Sequence, residues 1–340
     1  MIHRSRFWPV VIFIGAGVVS GGEPVLATVS NQPPAVSIGK LDGGRLKPQQ
    51  KPFLRLAKGG GGKRQGADRQ QKQKMNGDGI VALIGSCSEC DGVDGFVPPR
   101  EIDDKIRRMV GKYKGGGGSR NVEIQQSRGV IETGLYPEFI GGADCPEIDS
   151  EKWAIDYSYK RGKAALHKGI DIPQPQGTAI LAVADGVVVG RFENDGNKKG
   201  IEVMLRHRPD QTGLTFWTYS QYTHLQEMSP LAIGTTVTMG EAIGKTSNTG
   251  KMGKRIRRDA LHFAVFYSVR PEWSNDGGVV TPKDGYFMDP NAFYRQQPPY
   301  DSPSMLALPQ NQKNVPVAYK KADGGIFPAG AKRIWPYACK

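Results

Sequence analysis

Five histidines occur in 340 residues, and three of them stand in apolar or glycine-punctuated stretches where a polar side chain needs a reason. His167 and Asp171 share Leu166-His167-Lys168-Gly169-Ile170-Asp171-Ile172. His224 lies in Gln221-Tyr222-Thr223-His224-Leu225, and His262 in Asp259-Ala260-Leu261-His262-Phe263-Ala264-Val265. His167, Asp171 and His262 are a zinc-type donor set. Two neutral imidazoles and one carboxylate can hold a zinc ion (Zn2+) tetrahedrally and leave the fourth position to water, and that open position marks a catalytic rather than a structural ion. His224 is the candidate acid/base beside them.

The elements that must position these groups read as short strands. Leu261-His262-Phe263 as a strand sends Leu261 and Phe263 to one face and His262 to the other. His167, Gly169 and Asp171 share a face if their segment is extended, with Gly169 permitting a bend. Thr178 to Ala184 and Val187 to Phe192 flank Asp185-Gly186 and predict a hairpin. Ile201 to His207 alternates, and Leu214 to Tyr222 is rich in Thr, Tyr, Phe and Trp. The expected fold class is mainly β, an antiparallel sheet with little helix and irregular N-terminal and C-terminal extensions.

The motifs, in this order, resemble the lysostaphin/LytM family of zinc metalloendopeptidases, which cut peptide bonds in peptidoglycan. The resemblance rests on His167-Lys168-Gly169-Ile170-Asp171-Ile172, Gly177-Thr178 and Ala182-Val183-Ala184-Asp185-Gly186-Val187-Val188. It continues through Tyr222-Thr223-His224-Leu225, Val237-Thr238-Met239-Gly240-Glu241-Ala242-Ile243-Gly244, Asn248-Thr249-Gly250 and Leu261-His262-Phe263, with Asp289-Pro290 beyond. It covers about residues 150–295. It implies zinc held by His167, Asp171 and His262, with His224 polarising the attacking water or stabilising the oxyanion. It also implies peptidoglycan as the partner. The chain departs from the family at Ala260, where the family carries a second histidine on the same strand face as His262. Alanine cannot move a proton, and losing one acid/base group typically costs on the order of 10²–10⁴ in rate. Asp259, His207 or a residue of the N-terminal region could compensate; for His207 a surface or structural role is the simpler reading.

The rest of the chain sets the context. Arg4 and Arg6, the apolar run Phe7 to Val19 and the small residues Val25-Leu26-Ala27 predict an export signal over 1–27. That run is shorter than the about 20 residues a bilayer span needs, so no transmembrane span is expected after cleavage. Net charge is +13, falling to +12 once two arginines and Glu23 leave. Residues 40–74 hold eleven Lys/Arg against Asp42 and Asp68. Such an arm is drawn to anionic envelope polymers or lipid headgroups; export argues against nucleic acid. Periplasm or cell envelope, or release into the medium, is the expected location.

Residues 28–79 bury too little to order, and 80–149 reads as a small region or linker with a strand at Ile80 to Ile84 and a helix over Glu101 to Tyr113. That region is either a domain or a segment covering the groove. Residues 150–295 form the peptidase-like domain, expected to bind or cut alone, and 296–340 a Pro-rich extension. Cys87, Cys90, Cys145 and Cys339 allow three pairings; Cys87–Cys90 and Cys145–Cys339 are favoured. Two further readings stay open. One is an inert relative that binds peptidoglycan or activates other cell-wall hydrolases. The other is an envelope structural protein tethered by its basic arm.

Overall fold

A computed structural model describes residues 87–103, 106, 122–149, 166–193, 199–250 and 258–340. The export signal, the basic segment, the strand at Ile80 to Ile84 and most of the helix over Glu101 to Tyr113 lie outside the described residues.

Helix α1 (Val122–Ser127) precedes β1 (Tyr136–Phe139), β2 (Ile170–Pro173), β3 (Ala179–Leu181), β4 (Gly186–Phe192) and β5 (Ile201–His207). Next come β6 (Trp217–Leu225), β7 (Thr236–Val237), β8 (Ala242–Lys245), β9 (Ala260–Ser268), β10 (Trp273–Asn275), β11 (Val280–Pro282) and β12 (Tyr286–Met288). The tail adds β13 (Asn314–Val317), β14 (Tyr319–Lys321), β15 (Ile326–Phe327) and β16 (Ala338–Cys339). The principal sheet has seven strands in the order β12-β9-β6-β5-β4-β7, with β2 also paired to β9. Every pairing in it is antiparallel, as the mainly β reading requires.

The core explains why β5 and β6 sit centrally. All seven residues of β5 are buried, so both faces of the sheet are covered and the strand carries more than alternating apolar residues. His207, at its end, is fully buried rather than at the surface. Its Nδ1–H donates to the Asp185 carbonyl at 2.7 Å, and Nε2 lies 2.7 Å from the Ser220 hydroxyl. Burial pushes its pKa down to about 4, against the opposing pull of Asp185.

A folded-state pKa below the ordinary 6.5 means the unfolded chain takes up the proton first. The stability this group contributes is therefore full above pH 6.5 and is lost as pH falls toward 4. Denaturant unfolding at pH 7.5 and 4.5 should show native protein losing about 2–3 kcal/mol more than His207→Gln. An equal loss in both would refute the assignment.

The Asp185-Gly186 turn is not a hairpin. β3 pairs with β8 in a separate two-stranded sheet, while β4 pairs with β5 and β7. The turn hands the chain from one sheet to the other. Gly186 is needed for close approach: a Cβ there would lie 2.6 Å from His207 Nδ1 and 2.7 Å from the Arg206 carbonyl oxygen.

The Pro-rich tail wraps back onto the body. β13 pairs in parallel with β1, and Trp335 and Tyr337 are buried in the core. Tyr337 OH meets Thr246 Oγ1 at 2.6 Å, and Trp335 Nε1–H donates to the Pro146 carbonyl at 2.7 Å. The Cys145–Cys339 disulfide closes this layer, and Cys87–Cys90 closes a short turn near the first described residues.

Candidate metal centre

β2 and β9 run antiparallel with Asp171 directly opposite His262, and β9 places His262 opposite Thr223 of β6. Directly opposed residues share a sheet face, so Asp171 and His262 project together. His167 enters from the turn before β2. His167 Nε2 lies 3.0 Å from His262 Nδ1 and 3.3 Å from Asp171 Oδ1, and His262 Nδ1 lies 2.9 Å from that same oxygen. These three residues form the only group of metal-donor side chains found among the described residues.

A tetrahedral ion with bonds of about 2.0–2.1 Å needs donor atoms about 3.3 Å apart. The observed triangle has edges of 2.9, 3.0 and 3.3 Å, so the donors fit one ion of that kind. Their chemistry agrees: two ring nitrogens and one carboxylate oxygen converge on a point. His167 and Asp171 are buried, while the His262 side chain keeps 15% exposure, so the point is reachable from one side. Burial alone would raise the Asp171 pKa. The adjacent His167 and His262, through charge and hydrogen bonds, outweigh it and hold the carboxyl well below the ordinary carboxylate range.

Gly169 serves the site by its lack of a side chain. A Cβ at Gly169 would stand 2.3 Å from the Phe263 carbonyl oxygen and 2.8–2.9 Å from His262 Cε1 and Nε2. The expected bend is present at Gly169, and the structure adds a second need, close approach of the His167–Asp171 segment to β9. Gly169→Ala must therefore displace either β9 or the His262 ring. We expect it to weaken zinc binding by at least the about 10–100-fold that outer partners of a metal site typically cost. Competition with a chromophoric chelator measures this, and unchanged affinity would contradict it.

His224 sits beside the triangle, its ring centroid 6.2 Å from that of His262. Its backbone has φ of 68°, a left-handed conformation that costs a non-glycine residue energy and recurs at functional sites. Its Nδ1–H donates to the Thr249 carbonyl at 2.7 Å, which leaves Nε2 as the basic nitrogen. Thr249 is itself fixed, its hydroxyl donating to the Leu225 carbonyl at 2.7 Å and accepting from the Ile201 amide at 3.1 Å. The Asn248-Thr249-Gly250 motif thus sets the tautomer of His224, a link that spans 25 residues and has no local signature.

Ala260 is buried opposite Pro173, two residues before His262 and so on the same face of β9. Two of the candidates to replace the absent imidazole, His207 and Asp259, do not join the triangle. His207 is tied into the core elsewhere, and Asp259 is outside the donor group.

Comparison with known proteins finds similarity over the stretch that carries these residues. Residues 165–274 match the model of Peptidase family M23. An uncharacterized metalloprotease of Haemophilus influenzae is 38% identical over 89 residues, covering 26% of this chain and 17% of that protein. A DD-carboxypeptidase/endopeptidase of Neisseria meningitidis serogroup B is 32% identical over 158 residues, covering 46% of this chain and 32% of that protein. The chain therefore spans less than a third of the length of these curated relatives. Among solved structures, LytU is 26% identical with a TM-score of 0.30, covering 43% of this chain and 83% of its own. The catalytic domain of lysostaphin from Staphylococcus simulans is 22% identical with a TM-score of 0.27, covering 36% and 80%. The ordered motifs and the family match agree over residues 165–274, the stretch of this chain that is similar to Peptidase family M23.

Proposed function

We propose that this chain is an exported zinc metallopeptidase that hydrolyses peptide bonds in peptidoglycan. The observation that carries the reading is the convergence of His167 Nε2, Asp171 Oδ1 and His262 Nδ1 within 3.3 Å of one another. The Neisseria relative's name, a DD-carboxypeptidase/endopeptidase, supports the substrate class. A zinc ion held there would supply Lewis acidity toward a carbonyl and an acidified water.

The chain's own residues do the rest. Asp171 stays ionised and would offer its charge to the ion. His224, with Nδ1–H committed to Thr249, presents Nε2 to accept or return one proton during amide cleavage. Ala260 contributes no proton, so among the described residues this work falls to His224. The mainly basic N-terminal segment draws the exported protein to anionic wall polymers.

The test is incubation of purified sacculi with mature, zinc-loaded protein. Soluble muropeptides should appear, and their masses name the bond cut. Ala260 favours a second reading, an inert relative that binds peptidoglycan or activates another cell-wall hydrolase. A folded, zinc-loaded protein that binds sacculi and releases nothing would establish that reading instead.

A further inference from the structure

We infer that residues 122–149, which precede the family domain, are a built-in brace of the metal centre, with Gln125, Asp149 and Arg258 as positioning residues. The inference rests on the zinc reading above. Each of the three donor-bearing segments is held by this region.

The first hold is at His167. Gln125, on α1, is fully buried although it is a polar residue on a helix of only six residues. Its side-chain oxygen accepts the Leu166 amide at 2.9 Å, immediately before His167. A buried amide left without that acceptor would be costly, so the contact fixes where the turn enters the site.

The second and third holds come from Asp149. Its backbone N–H donates to the Asp171 carbonyl at 2.9 Å. Its buried carboxylate pairs with the Arg258 guanidinium, two residues before β9 begins at Ala260. One residue therefore ties the strand of Asp171 to the segment entering the strand of His262. The ion pair joins a nearly closed carboxylate, 2% exposed, to a guanidinium that remains 39% exposed.

The brace is anchored at both ends. The Phe287 amide donates to the Arg128 carbonyl at 2.8 Å, and the Ser302 hydroxyl to the Gly129 carbonyl at 2.6 Å. Four residues before Asp149, Cys145 is bonded to Cys339. Donors 2.9–3.3 Å apart tolerate little displacement, because the ion needs all three at once. Residues 150–295 taken alone lack Gln125 and Asp149, so on this inference that portion should hold zinc less tightly than the full chain.

The experiment measures the zinc Kd of the full chain by competition with a chromophoric chelator, alongside the melting temperature of the zinc-free protein. Gln125→Met keeps the volume and removes the acceptor; Arg258→Gln removes the ion pair. Each should raise the zinc Kd by about 10–100-fold, while Gln125→Glu, which keeps an acceptor oxygen, recovers most of the affinity. Arg258→Gln changes a partly exposed side chain, so it carries the test should Gln125→Met fail to fold. Folded Arg258→Gln with native zinc affinity would overturn the brace and leave the metal centre standing. Native protein that binds no zinc would overturn the metal centre and this inference with it.

Discussion

Asp171→Ala should abolish zinc retention and lower muropeptide release by more than about 100-fold, the upper end of what loss of a mere outer partner costs a metal site. Three observations combine in this expectation. Asp171 is the only carboxylate in the donor triangle, so its removal leaves two imidazoles and no negative charge for the ion. It contacts both histidines, at 3.3 Å and 2.9 Å, so it also orients the rings. It is buried, so solvent does not substitute freely for the lost oxygen. Asp171→Asn is the sharper companion, keeping shape while removing charge. Both variants should keep the secondary structure of the native protein by circular dichroism, since the strand pairing of β2 is by backbone. Full zinc content and full hydrolysis in either would remove Asp171 from the donor set.

His224→Ala should separate chemistry from metal binding. It should lower kcat by about 10²–10⁴, the usual contribution of one acid/base group, while zinc affinity changes little. The separation follows from geometry: His224 is adjacent to His262 by ring contact but is not one of the three converging donors. The effect should fall at the upper end of the range because Ala260 supplies no second imidazole on that face. Its left-handed backbone makes His224→Asn a useful second variant, as Asn tolerates that conformation better than Ala. A His224→Asn protein with native kcat would show that the proton is carried by another group.

What the sequence made legible was the part written in local text. His167 and Asp171 stand four apart around a glycine, and His262 stands alone between Leu261 and Phe263; strand alternation sends both Asp171 and His262 to a common face, as their register now shows. The mainly β class followed from the same short runs. Other features depended on contacts between distant segments. Asp185-Gly186 reads as a hairpin because both flanks are β-rich, yet β3 finds its partner in β8, more than sixty residues on in sequence terms, as Ala179 faces Lys245. The Pro-rich tail shows no periodicity, so its buried Trp335 and Tyr337 could not be told from isolated surface aromatics. Gln125 carries no sequence signal of its own. Its role comes from docking beneath Leu166, 41 positions away. Thr249 was visible as part of a motif, but its hold on His224 was not.

The zinc content of the purified full chain tests the His167, Asp171 and His262 centre most directly. Metal analysis after dialysis against trace zinc should find one ion per native chain, and none in Asp171→Ala or His262→Ala. Native protein that retains no zinc, or variants that retain as much as the native chain, would contradict the assignment of His167, Asp171 and His262 as a zinc centre.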